Sequence, residues 1–500
     1  MRRSILNALF SDARPAPHLP TFRDWSALFA LSILAAASAF LIGRFVLQDF
    51  PNSADEHAYL FQAQLFAGGR LSAPAHPKQE FLSPFFILTH GDKVFSLFPP
   101  GWPLLLSLGE RAGCPALVNP LLSAGALFLI FALGWKLWGR REAWTAVLLT
   151  AISPFFLFNG ASYFSHPSCL FSVLLAVYLL IVWERTEWFV WALLAGLAAS
   201  WAFTIREFTA VLTLTAPLIL TFAASKKRVR LLAGLLIGAL PLLIFYLYYN
   251  QSLTGDWRMP ARFLQSSERL GFGDREIQLF DYREIQHYGP VDAMSNLLRN
   301  LGKLVLWTAP GLPLFALLGA WRSRKQPWIL ALACSAALLP VGYILYPSDG
   351  GNQYGPRFYY ESLGFLSLLA APFIRDALHR RLAPNQRRAA LAALLLAAAA
   401  LFAMHGRFFH RQIYERRTLY RLVERRGLHN AVVFVSAPSG DMTQGDLIRN
   451  PADPRQADVV YAWHLAERNR ELAQFFPDRS FFLFGRDPRT GAVFLQRLTL

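Results

Sequence analysis

Long apolar runs constrain the fold of this chain more than any other feature. About eleven stretches of roughly 18 or more mainly apolar residues recur along its 500 residues. A helix of about 20 residues rises ~1.5 Å per residue and so crosses the ~30 Å hydrocarbon core of a bilayer. The runs therefore predict an all-α, polytopic membrane protein. Their approximate spans are 26–46, 115–135, 143–160, 166–183, 188–204, 207–224, 231–249, 301–320, 327–346, 359–378 and 389–405.

The composition excludes several other classes of protein. Charged residues make up 16% of the chain and hydrophobic residues 54%, whereas a soluble domain usually carries about 25% charge. An ordinary soluble enzyme cannot hide so much apolar surface. The 3 cysteines lie in or beside apolar runs, which excludes a disulfide scaffold.

Lys and Arg concentrate in every second short loop, which predicts the orientation of the chain. The basic loops are Lys136–Arg141, Lys226–Arg230, Arg322–Lys325 and Arg375–Arg388. If these face the cytoplasm, then residues 1–25 are also cytoplasmic, and segments 47–114, 250–300 and 406–500 lie outside. Much of the net charge of +17 is then a topology signal, and we expect no nucleic-acid partner.

Two of the outer segments interrupt the predicted transmembrane domain, which covers residues 26–405. Segment 47–114 contains helical stretches at 57–69 and 101–113 that look amphipathic, and we expect both to lie along the membrane surface. Segment 250–300 is polar and too long to be a simple turn.

The last outer segment, 406–500, has the pattern of a small soluble α/β domain. It loses the long apolar runs, and its short apolar stretches are strand-like. We predict strands at 431–436, 458–461, 480–484 and 492–496 around a helix at 464–476.

An acidic pair, Asp55 and Glu56, follows the first membrane helix directly. Helical spacing places Asp55 on one face with Tyr59 and Gln62. A carboxylate at this position could act as general base on an incoming hydroxyl group. For Glu56 a structural role is an equal alternative, because Ser53 and Glu56 match the capping box at a helix N-terminus.

Further polar residues lie at the outer ends of predicted membrane helices. Ionisable residues at membrane depth are costly, so they indicate function unless they snorkel to the interface. A guanidinium group suits a phosphate because it donates paired hydrogen bonds and keeps its charge. Arg206 and Arg357 are therefore our phosphate-binding candidates, and the loop residues Arg258 and Arg262 are weaker ones. His166 lies at the same outer edge.

Nucleotide and metal motifs are absent from the sequence. It has no Walker A motif, no GxGxxG and no His/Cys spacing typical of a metal site. We therefore predict no cofactor and no bound metal. A divalent cation, if one were needed, would meet Asp55 or Glu56.

A set of motifs in a fixed order resembles a known family. They are Asp55-Glu56, FPPGWPLLL at 98–106, SYFSHP at 162–167, YNQSLTGD at 249–256 and YGPRFYY at 354–360. With these motifs the chain resembles a bacterial GT-C superfamily glycosyltransferase. It is most similar to the protein O-mannosyltransferase-like and aminoarabinose lipid A transferase-like enzymes of the glycosyltransferase family 39 type, which use polyprenyl-phosphate sugars as donors.

The resemblance implies a multi-pass enzyme of the bacterial inner membrane with its active site on the periplasmic side. Asp55 would be the catalytic acidic residue of the first outer loop and Glu56 its positioning neighbour. We expect Tyr59, His166, Tyr354 and Tyr359 to support substrate binding. The acceptor stays open among lipid A, another glycan, a lipid and a protein, and a single displacement predicts inversion at the sugar carbon.

Two functions from other classes remain as alternatives. A transporter or lipid flippase also has about a dozen helices and buried charges, but its binding site usually lies at mid-membrane. Here the polar residues crowd one face, which favours an enzyme at the interface. A scaffold acting through 406–500 would need no polar cluster.

Overall fold

A computed structural model describes residues 19–264, 270–279, 282–350, 353–436, 447–487 and 489–500 of the chain. Helices dominate this part. In chain order they are α1 (Phe22–Leu41), α2 (Ala54–Ala67), α3 (Gly101–Arg111), α4 (Val118–Leu137), α5 (Arg140–Ala151), α6 (Pro154–Gly160), α7 (His166–Thr186), α8 (Phe189–Ile205), α9 (Glu207–Ala224), α10 (Arg228–Thr254), α11 (Pro290–Trp307), α12 (Leu312–Arg322), α13 (Pro327–Gly342), α14 (Ser362–Arg381), α15 (Pro384–Arg416), α16 (Thr418–Arg425) and α17 (Asn469–Ala473).

The helices coincide with the predicted membrane runs. Within the described residues, 7 helices are long and apolar enough to cross a membrane, or 9 if each of two bent pairs forms one span. The bent pairs are α5 with α6, at 64°, and α11 with α12, at 99°. The remaining two runs, 188–204 and 359–378, fall on α8 and α14. The protein is therefore a polytopic, helical membrane protein.

The helical bundle is apolar on its outer surface as well as inside. Its interior is filled by large side chains that include Trp102, Phe131 and Phe155. On the surface of the bundle, helix α10 exposes the apolar side chains of Leu236 and Leu240. A helix that is apolar all round suits a surrounding of lipid.

Short strands form the rest of the regular structure. They are β1 (Ala73–Pro74), β2 (Ile87–His90), β3 (Lys93–Ser96), β4 (Gly273–Leu279), β5 (Tyr282–Tyr288), β6 (Ala431–Val435), β7 (Val459–Trp463), β8 (Ser480–Arg486) and β9 (Val493–Leu498). The first three make an antiparallel sheet of order β1-β3-β2, and β4 pairs antiparallel with β5.

The first outer loop folds onto the bundle with α2 inside it. Most residues of α2 are buried, among them Ala58 and Leu65, because α3 and β3 pack against the helix. This differs from the expected amphipathic surface helix at 57–69, since protein covers α2 on nearly every side. Helix α3 is one-sided as expected, with Leu106 buried and Leu108 exposed.

The segment after the last membrane helix contains the predicted α/β unit. Its sheet has the order β7-β6-β8-β9, with β6 parallel to both neighbours and β9 antiparallel to β8. All four predicted strands are present. The predicted helix at 464–476 is shorter, since α17 covers only Asn469–Ala473 after a 3₁₀ turn at Ala466–Arg468. Helix α15 also runs on to Arg416, past the predicted end of the membrane run at 405.

The C-terminal sheet packs directly on the first outer loop. Phe81 and Leu82 of the loop lie in one apolar cluster with Val432 and Phe434 of β6. Trp463 Nε1 donates a hydrogen bond of 2.9 Å to the Ser83 carbonyl oxygen. The two outer segments therefore form one layer above the bundle.

Candidate active site

Helix α2 places Asp55 in its first turn. Ser53 is the N-cap residue, and its Oγ accepts a hydrogen bond of 3.2 Å from the backbone N–H of Glu56. This cap explains why the chain turns into a helix directly after the first membrane segment. Asp55 consequently lies at one end of the bundle, where the first membrane helix ends.

Glu56 is turned into the protein. Its two carboxylate oxygens accept hydrogen bonds from the backbone N–H groups of Asn52, at 2.8 Å, and Tyr163, at 2.9 Å. Burial raises the pKa of Glu56 to about 7, against the opposing effect of these backbone hydrogen bonds. The side chain therefore ties the start of α2 to the chain around Tyr163. Half of the expected capping box is present, because Ser53 caps the helix while Glu56 accepts from the N–H of Asn52 and not from that of Ser53.

Asp55 contacts one of the two phosphate candidates. Arg357 Nη2 lies 3.3 Å from Asp55 Oδ2, and the two side chains are 9% and 16% exposed. The guanidinium group of Arg357 also lies 4.5 Å from the centre of the Phe164 ring, and its Nε donates to the Gly350 carbonyl oxygen. These contacts hold a carboxylate and a cation together across 302 residues of sequence.

Arg206 is the second cation at this end of the bundle. It lies between α8 and α9, where its guanidinium nitrogens reach Ser165 Oγ at 3.4 Å and Tyr343 OH at 3.2 Å. Its guanidinium group lies 5.6 Å from the centre of the Phe358 ring, and that of Arg357 lies 6.0 Å from the same centre. Two guanidinium groups thus contact one aromatic ring.

Tyr59 joins Asp55 to the Arg206 side of the site. It lies one helical turn after Asp55, and its hydroxyl is 3.2 Å from Ser165 Oγ. Burial raises the pKa of Tyr59 to about 12, with a smaller contribution from Asp55. The phenol therefore stays neutral at physiological pH and can donate a hydrogen bond.

Glu361 belongs to this cluster although the sequence did not single it out. It is fully buried, with its Oε1 3.1 Å from His166 Nδ1 and 3.7 Å from Arg206 Nε. His166 is thus held in the cluster as well. The sequence signal nearest to it was the motif YGPRFYY at 354–360, which ends directly before Glu361 and drew attention to Arg357.

The other predicted residues contact different groups. Arg258 is 72% exposed and lies 3.7 Å from Asp256, and Arg262 pairs with Glu207 at 2.9 Å. Tyr354 is buried, and its backbone carbonyl oxygen accepts a hydrogen bond from Asn159. Tyr359 is buried beside the Arg357 turn.

The described ranges contain no group of three or more His, Cys, Asp or Glu residues arranged to hold a metal ion. Of the histidines near the site, His57 and His166 are buried. The ring of His76 packs on Phe475 and Phe476.

The bundle and the layer of loops at one end of it have a fold of the GT-C type, as solved structures show. Two solved structures that share it are ArnT from Cupriavidus metallidurans bound to undecaprenyl phosphate and the same protein in the apo state. The first has a TM-score of 0.57 at 12% identity, over 94% of each chain. The second has a TM-score of 0.56 at 13% identity, over 93% of each chain.

A further similar structure is the arabinofuranosyltransferase AftD from Mycobacteria. Its TM-score is 0.50 at 14% identity, and the match covers 96% of this chain but 36% of the larger protein. No protein-family model and no curated protein sequence matches the chain. The likeness at these identities is one of fold.

Proposed function

We propose that this protein is an integral membrane glycosyltransferase that moves a sugar from a polyprenyl-phosphate-linked donor to an acceptor at the outer membrane surface. One observation carries the proposal: at one end of a GT-C bundle the carboxylate of Asp55 pairs with Arg357, and the guanidinium group of Arg206 lies near the same Phe358 ring as that of Arg357. The fold shared with an undecaprenyl-phosphate-bound structure supports it. Polar residues gathered at one end also suit an enzyme better than a transporter.

The geometry suggests how the side chains share the reaction. An acceptor hydroxyl or amine attacks the anomeric carbon of the sugar while Asp55 takes its proton. The bond from that carbon to the phosphate oxygen breaks, and its electron pair leaves with the polyprenyl phosphate. Arg357 and Arg206 stabilise the negative charge that grows on this leaving group. Because the displacement is single, the sugar carbon is inverted.

Glu56 and Tyr59 have supporting roles in this scheme. Glu56 uses both oxygens to hold the start of α2, so it positions Asp55 rather than reacting itself. Tyr59 lies one helical turn after Asp55, contacts Ser165 Oγ and can donate a hydrogen bond to the sugar donor. The site does not define the acceptor, which we take to be lipid A, another glycan, a lipid or a protein.

Mass spectrometry of lipids and envelope glycans tests the function in cells. We expect cells lacking the protein to accumulate one polyprenyl-phosphate sugar and to lose one sugar from one glycan or lipid. Wild type should restore both, whereas Asp55→Asn should lower transfer by about 10²–10⁴-fold, the usual contribution of a general base. Asp92→Asn, on the exposed turn between β2 and β3, is the matched control and should restore both. Full rescue by Asp55→Asn would remove Asp55 from the mechanism.

Binding of undecaprenyl phosphate to the purified chain tests the cations separately. Charge-assisted hydrogen bonds to phosphate are among the strong ones, so Arg206→Ala and Arg357→Ala should each weaken binding at least about tenfold. Arg455→Ala, whose exposed side chain pairs with Asp453, is the control. Equal affinity for all four proteins would contradict the proposed phosphate site.

A further inference from the structure

The segment that leads into α2 has an unfavourable backbone conformation. Gln48 and Asp49 are consecutive non-glycine residues with φ of 56° and 48°, in the left-handed region that side chains disfavour. Such conformations persist only where the surroundings hold them. Asp49 pairs with Arg44 at 2.6 Å, which holds one side of the turn.

The other side of the turn is held by the C-terminal part of the chain. Arg416, the last residue of α15, donates to the Asn52 carbonyl oxygen and lies 3.3 Å from Asn52 Oδ1. Arg449 donates to the Pro51 carbonyl oxygen, and its guanidinium group lies 3.9 Å from the centre of the Phe50 ring. A planar guanidinium group suits this task because it can stack on a ring and donate at its edge at the same time.

Two neighbouring side chains add to these contacts. Gln412 Oε1 accepts a hydrogen bond of 3.1 Å from Asn52 Nδ2. Arg417 Nη1 lies 3.4 Å from the Gln48 carbonyl oxygen. Four side chains from the C-terminal part of the chain therefore contact the turn at Gln48, Phe50, Pro51 and Asn52.

The turn connects directly to Asp55. The backbone N–H of Asn52 donates to Glu56, and Ser53 caps the helix in which Asp55 lies. A shift of Asn52 would consequently shift the first turn of α2. Asp55 meets Arg357 at only 3.3 Å, so a displacement of about 1 Å would separate them, and a misplacement of that size can cost about 100-fold in rate.

We propose that Arg416 and Arg449 are positioning residues that, through Pro51 and Asn52, fix the turn before α2 and thereby hold Asp55 in place. The C-terminal α/β unit is then a structural part of the active site. The contacts stand on geometry alone, while the expected loss of activity rests on the proposed function of Asp55.

Hydrogen–deuterium exchange in the full-length chain tests the contact itself. In the double variant Arg416→Gln/Arg449→Gln, we expect the amides of residues 49–57 to exchange at least about tenfold faster than in wild type, because the turn opens locally. Arg486→Gln is the matched control, since Arg486, at the end of β8 in the C-terminal sheet, donates to the Gly491 carbonyl oxygen and not to the turn before α2. Unchanged exchange at 49–57 in the double variant would overturn the proposal.

Transfer measurements separate positioning from donor binding. With the lipid-linked sugar identified by mass spectrometry as donor, the double variant should keep its KM for the donor within about twofold and lose about 10–100-fold in kcat. Its affinity for undecaprenyl phosphate should stay unchanged, because Arg206 and Arg357 are intact. A rise in KM with normal kcat would contradict positioning of Asp55.

These measurements also distinguish the two proposals. If wild type binds no undecaprenyl phosphate, the proposed function fails, and the exchange data still decide whether the arginines hold the turn. If wild type binds and transfers but the double variant does so equally well, only the positioning role fails.

Discussion

At the scale of single residues, two adjacent carboxylates take different positions. Successive side chains on a helix point about 100° apart, so Asp55 faces Arg357 while Glu56 faces the backbone of Asn52 and Tyr163. Adjacent acids at a helix N-terminus could be predicted from the sequence. Which of them faces the cations depends on where residues 163 and 357 lie, and those positions are set by the packing of the whole bundle.

The pH dependence of stability should report on Glu56. Because burial raises the pKa of Glu56 from 4.5 to about 7, the folded chain keeps a proton that the unfolded chain releases above about pH 4.5. The contribution of Glu56 to stability is thus fully present below pH 4.5 and is lost as the pH rises to about 7. Glutamine cannot ionise, so the Glu56→Gln variant does not lose stability in this way as the pH rises.

Thermal unfolding of the purified proteins between pH 5 and 7.5 measures this difference. We expect the Tm of wild type to fall relative to that of Glu56→Gln as the pH rises through this range. Parallel curves for the two proteins would show that Glu56 ionises as readily in the folded chain as in the unfolded one.

Glu361 shows where residue-scale prediction from the sequence ends. Charged residues at outer helix ends were recognised because they are costly near a membrane, and that reasoning found Arg206, Arg357 and His166. Glu361 contacts His166 across 195 positions of sequence. Hydropathy carries no information on such a pair, because it depends on how α7, α9 and α14 meet.

At the scale of elements, long apolar runs predicted the membrane helices, and short apolar stretches predicted the C-terminal strands, but neither predicted the breaks within the helices. The run 301–320 is continuous in hydropathy, yet the chain bends by 99° where Pro310 and Gly311 interrupt it. The hairpin of β4 and β5 lies in segment 250–300, which was predicted only as a polar loop. Both strands have polar sequences, so they lack the apolar alternation that marks a half-buried strand.

Helices α8 and α10 approach each other at glycines, and this gives a prediction for stability. A Cβ atom at Gly238 would lie 1.9 Å from the Leu193 carbonyl oxygen, and one at Gly196 would lie 2.1 Å from the Leu235 carbonyl oxygen. Small residues at such crossings let backbones pack closely in a membrane. Gly238→Ala should therefore push the helices apart and cost about 1–3 kcal/mol.

Gly302→Ala in α11 is the matched control for this change. A Cβ atom there meets nothing within 4 Å, so the better helix propensity of alanine should raise stability by up to about 1 kcal/mol. Thermal unfolding in detergent compares both variants with wild type. A Tm shift of the same sign for the two would contradict close packing as the cause.

At the scale of the whole molecule, the site and the basic loops lie at opposite ends of the bundle. Helix α7 begins at His166 in the site and has Arg185 in its last turn, where Arg185 donates to the Lys136 carbonyl oxygen. Its 21 residues span about 30 Å. Arg375 pairs with Glu142 at the same end as Lys136. The end of the bundle that carries these basic loops is therefore the end opposite to the candidate site.

This separation predicts the orientation of the chain by direct labelling. Short loops rich in Lys and Arg stay in the cytoplasm, while long domains cross largely regardless of their charge. The basic loop at Lys226 should therefore be inside, and the C-terminal sheet with Thr490 outside. In a background with Cys114→Ser and Cys334→Ser, where Cys169 remains buried, a membrane-impermeant maleimide should label Thr490→Cys in intact cells. Lys226→Cys should react only after permeabilisation.

The opposite labelling pattern would have consequences beyond topology. It would put Asp55, Arg206 and Arg357 on the cytoplasmic face, where nucleotide sugars are available and a lipid-linked donor is not required. An outer-surface reaction would then be excluded even if Asp55→Asn proved inactive. If labelling is as predicted and Asp55→Asn loses transfer, the reaction occurs on the side of the membrane away from the nucleotide pool. A lipid-linked donor is then the donor consistent with both results.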